Sequence, residues 1–191
     1  MSEQKIAISG VVLAGGRGRR MNGKNKALLQ VDGHYLFEHA VRNLATVTHD
    51  IIISSSRDRS VFEQRGFTVV DDGEFADRGP LAGIHAALTR CNGDYLAIAA
   101  CDQLDLPDTV YATLCNEAAG TPGVYAVTDH AEVPTCAVIS CALKNTLQQS
   151  LRDGALRLTR FMQENCRPLK FRDVAFHNIN TEAALQRVQE R

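Results

Sequence analysis

The sequence predicts a single α/β domain with a mostly parallel central sheet and helices on both faces. Three observations predict it. Short runs rich in Val, Ile and Ala alternate with amphipathic segments of helical period, the pattern that crossover helices impose on parallel strands. One run, Tyr95–Ala100, is apolar throughout, as a strand buried on both faces must be. No repeat, low-complexity tract or Pro/Gly-rich linker divides the 191 residues, a length that one core can hold.

The first strand is Ile6–Ala14, which ends in Gly15 and Gly16. After a basic loop, Ala27–Val31 and an Asp32-Gly33 turn lead into a helix near Tyr35–Val47, where Leu36, Phe37, Ala40, Val41 and Leu44 recur at helical spacing. Ile51–Ile53 reads as a buried strand, Arg57–Arg65 as a helix and Phe67–Val70 as the next strand. Leu81–Leu88 is helical and opened by Gly79-Pro80, since proline lacks an N–H that the first turn does not need. Tyr95–Ala100 is expected at the centre of the sheet and ends at Cys101-Asp102. A helix near Asp108–Ala118 follows Pro107, and strands at Val124–Thr128 and Pro134–Ile139 are joined by the polar turn Asp129–Glu132. Helices near Leu143–Leu151 and Ala155–Glu164, a strand near Leu169–Phe176 and a helix near Glu182–Val188 complete the pattern, with Thr181 as the last N-cap.

Composition excludes several classes of function. A formal net charge of −1 argues against a protein that wraps nucleic acid, which needs a basic excess. The six cysteines form no CxxC pair and no second pair completes the C-x4-C of Cys136 and Cys141, so buried, reduced thiols are expected rather than zinc ligands. No stretch approaches the ~20 apolar residues of a membrane span, and no signal-peptide or lipidation pattern is present. A cytoplasmic protein without nucleic-acid or membrane partners is expected.

Three constellations carry chemistry. In the first, a strand runs into Leu13-Ala14-Gly15-Gly16, followed by Arg17, Arg19, Arg20, Lys24 and Lys26 with no acid among them. Glycines let backbone N–H groups approach an anion closely, and the basic side chains suit a triphosphate at the carboxyl ends of the strands. The residues alone leave an ordinary solvated basic turn open. Two lookalikes fail: Asn25 stands where a P-loop needs Ser or Thr, and Met21 stands where GxGxxG needs its third glycine. In the second, Asp102 directly follows the most apolar strand, where a carboxylate points into the ligand crevice and can hold Mg²⁺; a turn or N-cap aspartate is the alternative. In the third, Gly79-Pro80-Leu81-Ala82-Gly83 can present a flat backbone wall to a base, and Asp72 can accept from guanine N1–H and N2–H, or merely shape a turn. The six histidines lack partner motifs and receive no catalytic role.

Taken in order, Leu13-Ala14-Gly15-Gly16, Arg20-Met21, Lys26, Gly79–Gly83, Cys101-Asp102 and Asn178-Ile179-Asn180-Thr181 resemble the molybdenum cofactor guanylyltransferase family, within the larger glycosyltransferase-A-like group of nucleotidyltransferases. The resemblance spans about residue 8 to the C-terminus and implies a Rossmann-like α/β fold. It implies Mg²⁺-dependent transfer of GMP from GTP to the terminal phosphate of molybdopterin, with release of pyrophosphate. Carried across, Leu13, Ala14, Gly15, Gly16, Lys26, Ser54, Asp72 and Asp102 fall on nucleotide-binding positions, Asp102 also on the metal position, and Asn178 and Asn180 near the pterin site. Asp102, Lys26 and Arg20 become the catalytic set, the cations facing the departing pyrophosphate. The expected partners are GTP, molybdopterin and proteins that deliver molybdopterin. The chain departs from the family pattern at Ser54 (usually Asn), at Asn22 (usually Gly) and at Gln103-Leu104-Asp105 (usually x-Pro-aromatic). Competing readings are a CTP-dependent or sugar 1-phosphate nucleotidyltransferase and a non-catalytic GTP-binding relative.

Overall fold

The chain opens on a strand, β1 (Ile8–Leu13), in which Val11 and Val12 are both fully buried although successive side chains point to opposite faces. Both faces of the sheet are therefore covered. This computed structural model describes residues 6–15, 25–104, 106–172 and 174–178. Gly16, Arg20 and Asn180, with the helix expected near 182–188, lie outside the described residues.

A two-stranded hairpin follows, β2 (Gln30–Val31) and β3 (His34–Tyr35), turned by Asp32 and Gly33 with φ of 51° and 78°. Two successive positive φ values match the right-handed strand twist, which is why an Asp-Gly pair sits there. Helix α1 (Leu36–Ala45) buries Leu36, Phe37, Ala40 and Leu44, the stripe its spacing predicts, and Glu38 accepts from the Tyr35 backbone N–H at 2.8 Å. β4 (Ile51–Ser54), α2 (Arg59–Glu63), β5 (Thr68–Val70), α3 (Pro80–Arg90) and β6 (Tyr95–Ala100) continue the alternation. After β6 come β7 (Gln103–Leu104), α4 (Thr109–Ala118), β8 (Gly123–Val127), β9 (Glu132–Ser140), α5 (Lys144–Arg152), α6 (Leu158–Asn165), β10 (Arg167–Lys170) and β11 (His177–Asn178).

The main sheet has seven strands in the order β10-β8-β9-β6-β1-β4-β5, so β6 is central as its composition requires. Every pairing is parallel except those of β9, which runs against both β6 and β8. One face packs Val12, Ile53 and Ala97 against Phe37, Phe62, Tyr111 and Leu114 of α1, α2 and α4. The other packs Val11, Ile52, Leu96 and Ile98 against Leu81, Ile84, Leu147, Phe161 and Met162 of α3, α5 and α6. Phe37 and Phe62 meet edge to face with centroids 4.9 Å apart; emptying the Phe37 site would cost about 3–5 kcal/mol.

Two expected elements move. The helix expected from Ala155 starts at Leu158, because Gly154, at φ 74°, ends α5 and Ala155–Arg157 form the link. The strand expected over 169–176 is Arg167–Lys170 instead, an exposed edge strand without an alternating pattern to mark it. Among the described residues, no helix is long and apolar enough to cross a membrane.

Candidate functional site

The parallel register brings three strand tips into one row. Leu13 stands opposite both Ser54 of β4 and Ala100 of β6. The ladder continues past the strands, since Ala14 N–H donates to Ser54 O at 2.9 Å and Cys101 N–H to Leu13 O at 3.3 Å. The glycine-bearing tip of β1 is thus wedged between the tips of β4 and β6, at the carboxyl edge where open α/β sheets bind ligands. Ser55 N–H donates to Val70 O at 2.9 Å and brings in the end of β5, from which Asp71 and Asp72 follow.

These tips and the start of α3 enclose a cleft of about 950 Å³, lined among others by Leu13, Gly15, Ser54, Asp72, Gly79 and Gly83. The structure therefore gathers most of the described nucleotide-position residues around one opening. Gly83 explains how α3 comes so near: a Cβ there would lie 2.3 Å from Ser54 Oγ and 3.2 Å from Ser54 Cβ. Ser54, 3% exposed, fills the space that the missing side chain leaves. A Cβ on Gly15, by contrast, would meet among the described residues only Ser54 O, at an ordinary 3.6 Å, so those residues leave room for alanine there.

Charge is divided along the cleft. Asp71, Asp72 and Asp77 line one part. Burial, then Asp71 and Asp77, hold the Asp72 carboxyl above its ordinary value of 3.8. Asp71 is paired with Arg59 at 3.3 Å. Three carboxylates make this part of the cleft acidic, with Arg57 the cation among its described lining residues.

Beside the cleft, on the β6 side of β1, Lys26 Nζ donates to Asp102 Oδ2 at 2.6 Å, with side chains 21% and 17% exposed. Lys26 opens a single 3-10 turn, Lys26–Leu28, whose N-cap is Asn25: its side chain accepts from Ala27 N–H at 3.1 Å. Asn25 Nδ2 also donates to Asp58 Oδ2 at 3.0 Å, which ties the end of the basic loop to the segment after β4. The residue that fails as a P-loop hydroxyl thus has its own task. Arg57 and Asp77 line the cleft and Asn25 caps the turn that carries Lys26, placements that sequence reading missed. Arg57 had a signal, since it follows a strand tip as Asp102 does; Asp77, in a loop with φ 65°, had none.

The fit of a metal can be judged from the donors. Asp102 offers a hard carboxylate at a strand tip, already facing a cation. Among the described residues no group of three or more His, Cys, Asp or Glu could hold a metal. One carboxylate suits Mg²⁺, which keeps several waters and takes the rest of its shell from substrate phosphates, and does not suit a metal held by protein alone.

A second cavity, of about 370 Å³, opens between the β8–β9 turn and residues 174–176; Thr128, His130, Glu132, Thr135 and Phe176 are among its walls. Thr135 owes its position to an irregularity: pairing jumps from Tyr125↔Ala137 to Ala126↔Val133, leaving Pro134–Cys136 outside the regular ladder. Proline has no N–H to give a ladder, and a bulge re-aims its neighbours. Gln103 Nε2 donates to Thr135 Oγ1 at 3.4 Å, while the buried Gln103 Oε1 has no hydrogen-bond partner among the described residues. Backbone pairing sets Asn178 opposite Gln103, one residue from Asp102, so the C-terminal motif begins on this side.

A family model described as a MobA-like NTP transferase domain matches residues 10–168. The chain is 33% identical over 179 residues to the molybdenum cofactor guanylyltransferase of Yersinia pestis (strain Pestoides F), covering 92% of each. Among solved structures it is similar to molybdopterin-guanine dinucleotide biosynthesis protein A from Archaeoglobus fulgidus, with a TM-score of 0.75 and 22% identity over 95% of this chain and 97% of that one. It is also similar to a Mycobacterium tuberculosis H37Rv protein solved as a complex with manganese, with a TM-score of 0.74 and 17% identity over 96% and 98%.

Proposed function

Since the chain belongs to the MobA-like NTP transferase family, we propose that it transfers GMP from GTP to the terminal phosphate of molybdopterin, releasing pyrophosphate. The observation that carries this reading is the cleft that collects Leu13, Gly15, Ser54, Asp72, Gly79, Pro80 and Gly83, with the Lys26–Asp102 pair at its β6 side. The identity to a molybdenum cofactor guanylyltransferase over 92% of the chain supports the same donor and acceptor.

Nucleotidyl transfer needs no enzyme nucleophile, because the attacking phosphate oxygen is anionic at neutral pH; positioning and charge neutralisation do the work. The glycine-bearing tip of β1 lets the phosphates approach the backbone closely, and α3 supplies the wall for the base. Asp102 would hold Mg²⁺, which when bound neutralises charge on the α- and β-phosphates. The manganese complex of the Mycobacterium tuberculosis neighbour is in keeping with a divalent ion. Lys26 keeps the Asp102 carboxylate oriented and sets its ammonium beside the leaving group, with Arg20 proposed for the same end. We assign molybdopterin to the cavity of Thr128, His130 and Thr135, on the far side of Asp102 from the nucleotide, with Asn178, paired through its backbone with Gln103, proposed to help bind it and Asn180, outside the described residues, proposed for the same role. That arrangement sets acceptor and pyrophosphate on opposite sides of the α-phosphorus, as in-line displacement demands.

Pyrophosphate release measured with GTP, CTP and ATP, each with and without molybdopterin and Mg²⁺, tests the reading. Release is expected with GTP and only when molybdopterin is supplied. Equal release with CTP would remove the guanylyl assignment, and none with any nucleotide would remove the transferase.

A further inference from the structure

Two thiols far apart in sequence meet at the opposite edge of the sheet from the site. Cys91 caps the C-terminus of α3, and Cys141 begins the turn between β9 and α5. Their sulfurs are 2.9 Å apart. The backbone holds the two segments together independently: Cys141 N–H donates to Asp94 O at 2.9 Å, and Tyr95 is in register with Ser140. Both thiols are half-buried, so a small molecule can reach them, whereas Cys101, Cys115 and Cys136 are buried outright. We propose that Cys91 and Cys141 are a reversible redox pair, which a small organic disulfide of the glutathione class converts to an intramolecular disulfide.

The Cys141 thiol hydrogen-bonds to the Cys91 sulfur, and this more than anything else lowers the Cys91 pKa, with Ser9 and the Gly93 backbone acting in the same sense against burial. The Cys141 pKa is raised by the same bond and by burial. Cys91 is therefore the attacking thiolate and Cys141 the resolving thiol. In the first step Cys91 Sγ attacks one sulfur of the small disulfide; that S–S bond breaks, a mixed disulfide forms on Cys91, and one small thiolate leaves. In the second, Cys141 gives its proton to solvent and its sulfur attacks Cys91 Sγ, expelling the second small thiol. Two protein thiols are oxidised to one disulfide while one small disulfide is reduced to two thiols, and excess small thiol drives the reverse.

The bond would close a long loop, so it reports itself as stability: a closed loop of about 50 residues corresponds to a rise in Tm of roughly 5–15 °C for a chain of this size. The test exposes folded, reduced protein to glutathione disulfide, reads Tm on one portion, and on another unfolds the protein in denaturant with iodoacetamide to block every remaining thiol before intact mass and linked peptides are read. Wild type is expected to lose two of its six alkylatable thiols, to carry no lasting glutathione, to yield a Cys91–Cys141 linked peptide and to melt higher until reductant is added. Cys141→Ser is expected to stop at one glutathione on Cys91, with no rise in Tm. Six alkylated thiols in treated wild type, a stable glutathione adduct on it, or a linked peptide joining any other pair overturns the proposal. So does a Cys141→Ser protein that takes up no glutathione at Cys91.

Discussion

Asp102 and Asp72 are both carboxylates after strand tips, yet their surroundings give them opposite expectations. Asp102 faces Lys26, in a pair exposed enough to stabilise the fold by only about 0–1 kcal/mol. Asp102→Asn is therefore expected to leave Tm nearly unchanged without ligand while lowering kcat roughly 100-fold or more, because charge neutralisation at the phosphates is the main catalytic term. Steady-state pyrophosphate release and a thermal melt on the same preparation check both halves. Asp72 faces burial and two like charges, and its pKa lies above 3.8. A raised folded pKa means the folded state holds the proton more tightly than the unfolded chain. The stability this gives is complete below the unfolded value and is lost as pH rises through the folded one. At neutral pH the ionised Asp72 is a net cost to folding, which the proposed role in base recognition would explain. Asp72→Asn should raise Tm at pH 7, make no difference near pH 3, and narrow the preference for GTP over ATP by about 1–2 kcal/mol, because one of the two acceptor oxygens becomes an NH2 donor. Melts across pH and parallel titrations with the two nucleotides decide it; an advantage over wild type that is no larger at pH 7 than at pH 3 contradicts the linkage.

At the scale of elements, α3 is the part whose placement makes the cleft, and Gly83 is the residue that permits it. Gly83→Ala forces a methyl group into Ser54, on a strand with nowhere to retreat. A loss of about 1–3 kcal/mol is expected from overpacking, together with weaker nucleotide binding. Adding Ser54→Gly should recover most of the stability, since the two sites share one contact; denaturant unfolding of the single and double variants measures the recovery. Gly15→Ala should behave otherwise, with Tm held and nucleotide affinity lowered. The contrast shows where sequence was legible. Tyr95–Ala100 announced itself because a central strand is apolar on both faces, and α1 because burial of one stripe leaves a period. Gly79–Gly83 was readable as a string, but the reason for its last glycine lay in Ser54, 29 positions earlier in the chain, and only the fold brings the two together. Arg167–Lys170 was misplaced because an edge strand with three of four residues exposed carries no pattern to read.

Across the whole molecule, the two cavities lie on either side of Asp102, one over β1, β4 and β5, the other over the β8–β9 turn. Substitutions in their walls should separate cleanly. Arg57→Ala is expected to raise the KM for GTP severalfold and leave that for molybdopterin alone, and His130→Ala the reverse; matched kinetics with each substrate varied in turn would show it. A shared rise in both constants for His130→Ala would place that wall in the fold rather than in acceptor binding. The separation comes from β9. Laid in against the direction of its neighbours, this strand brings its beginning, not its end, to the edge where the other tips gather. The wall it helps build is drawn from residues 128–176, while the nucleotide cleft is drawn from residues 13–83. On the proposed function, donor recognition and acceptor recognition are thus written in two stretches of sequence that do not interleave. Descent could rewrite the later stretch, by drift or by recombination in the loop before Gly123, and hand the same activated nucleotide to a different recipient.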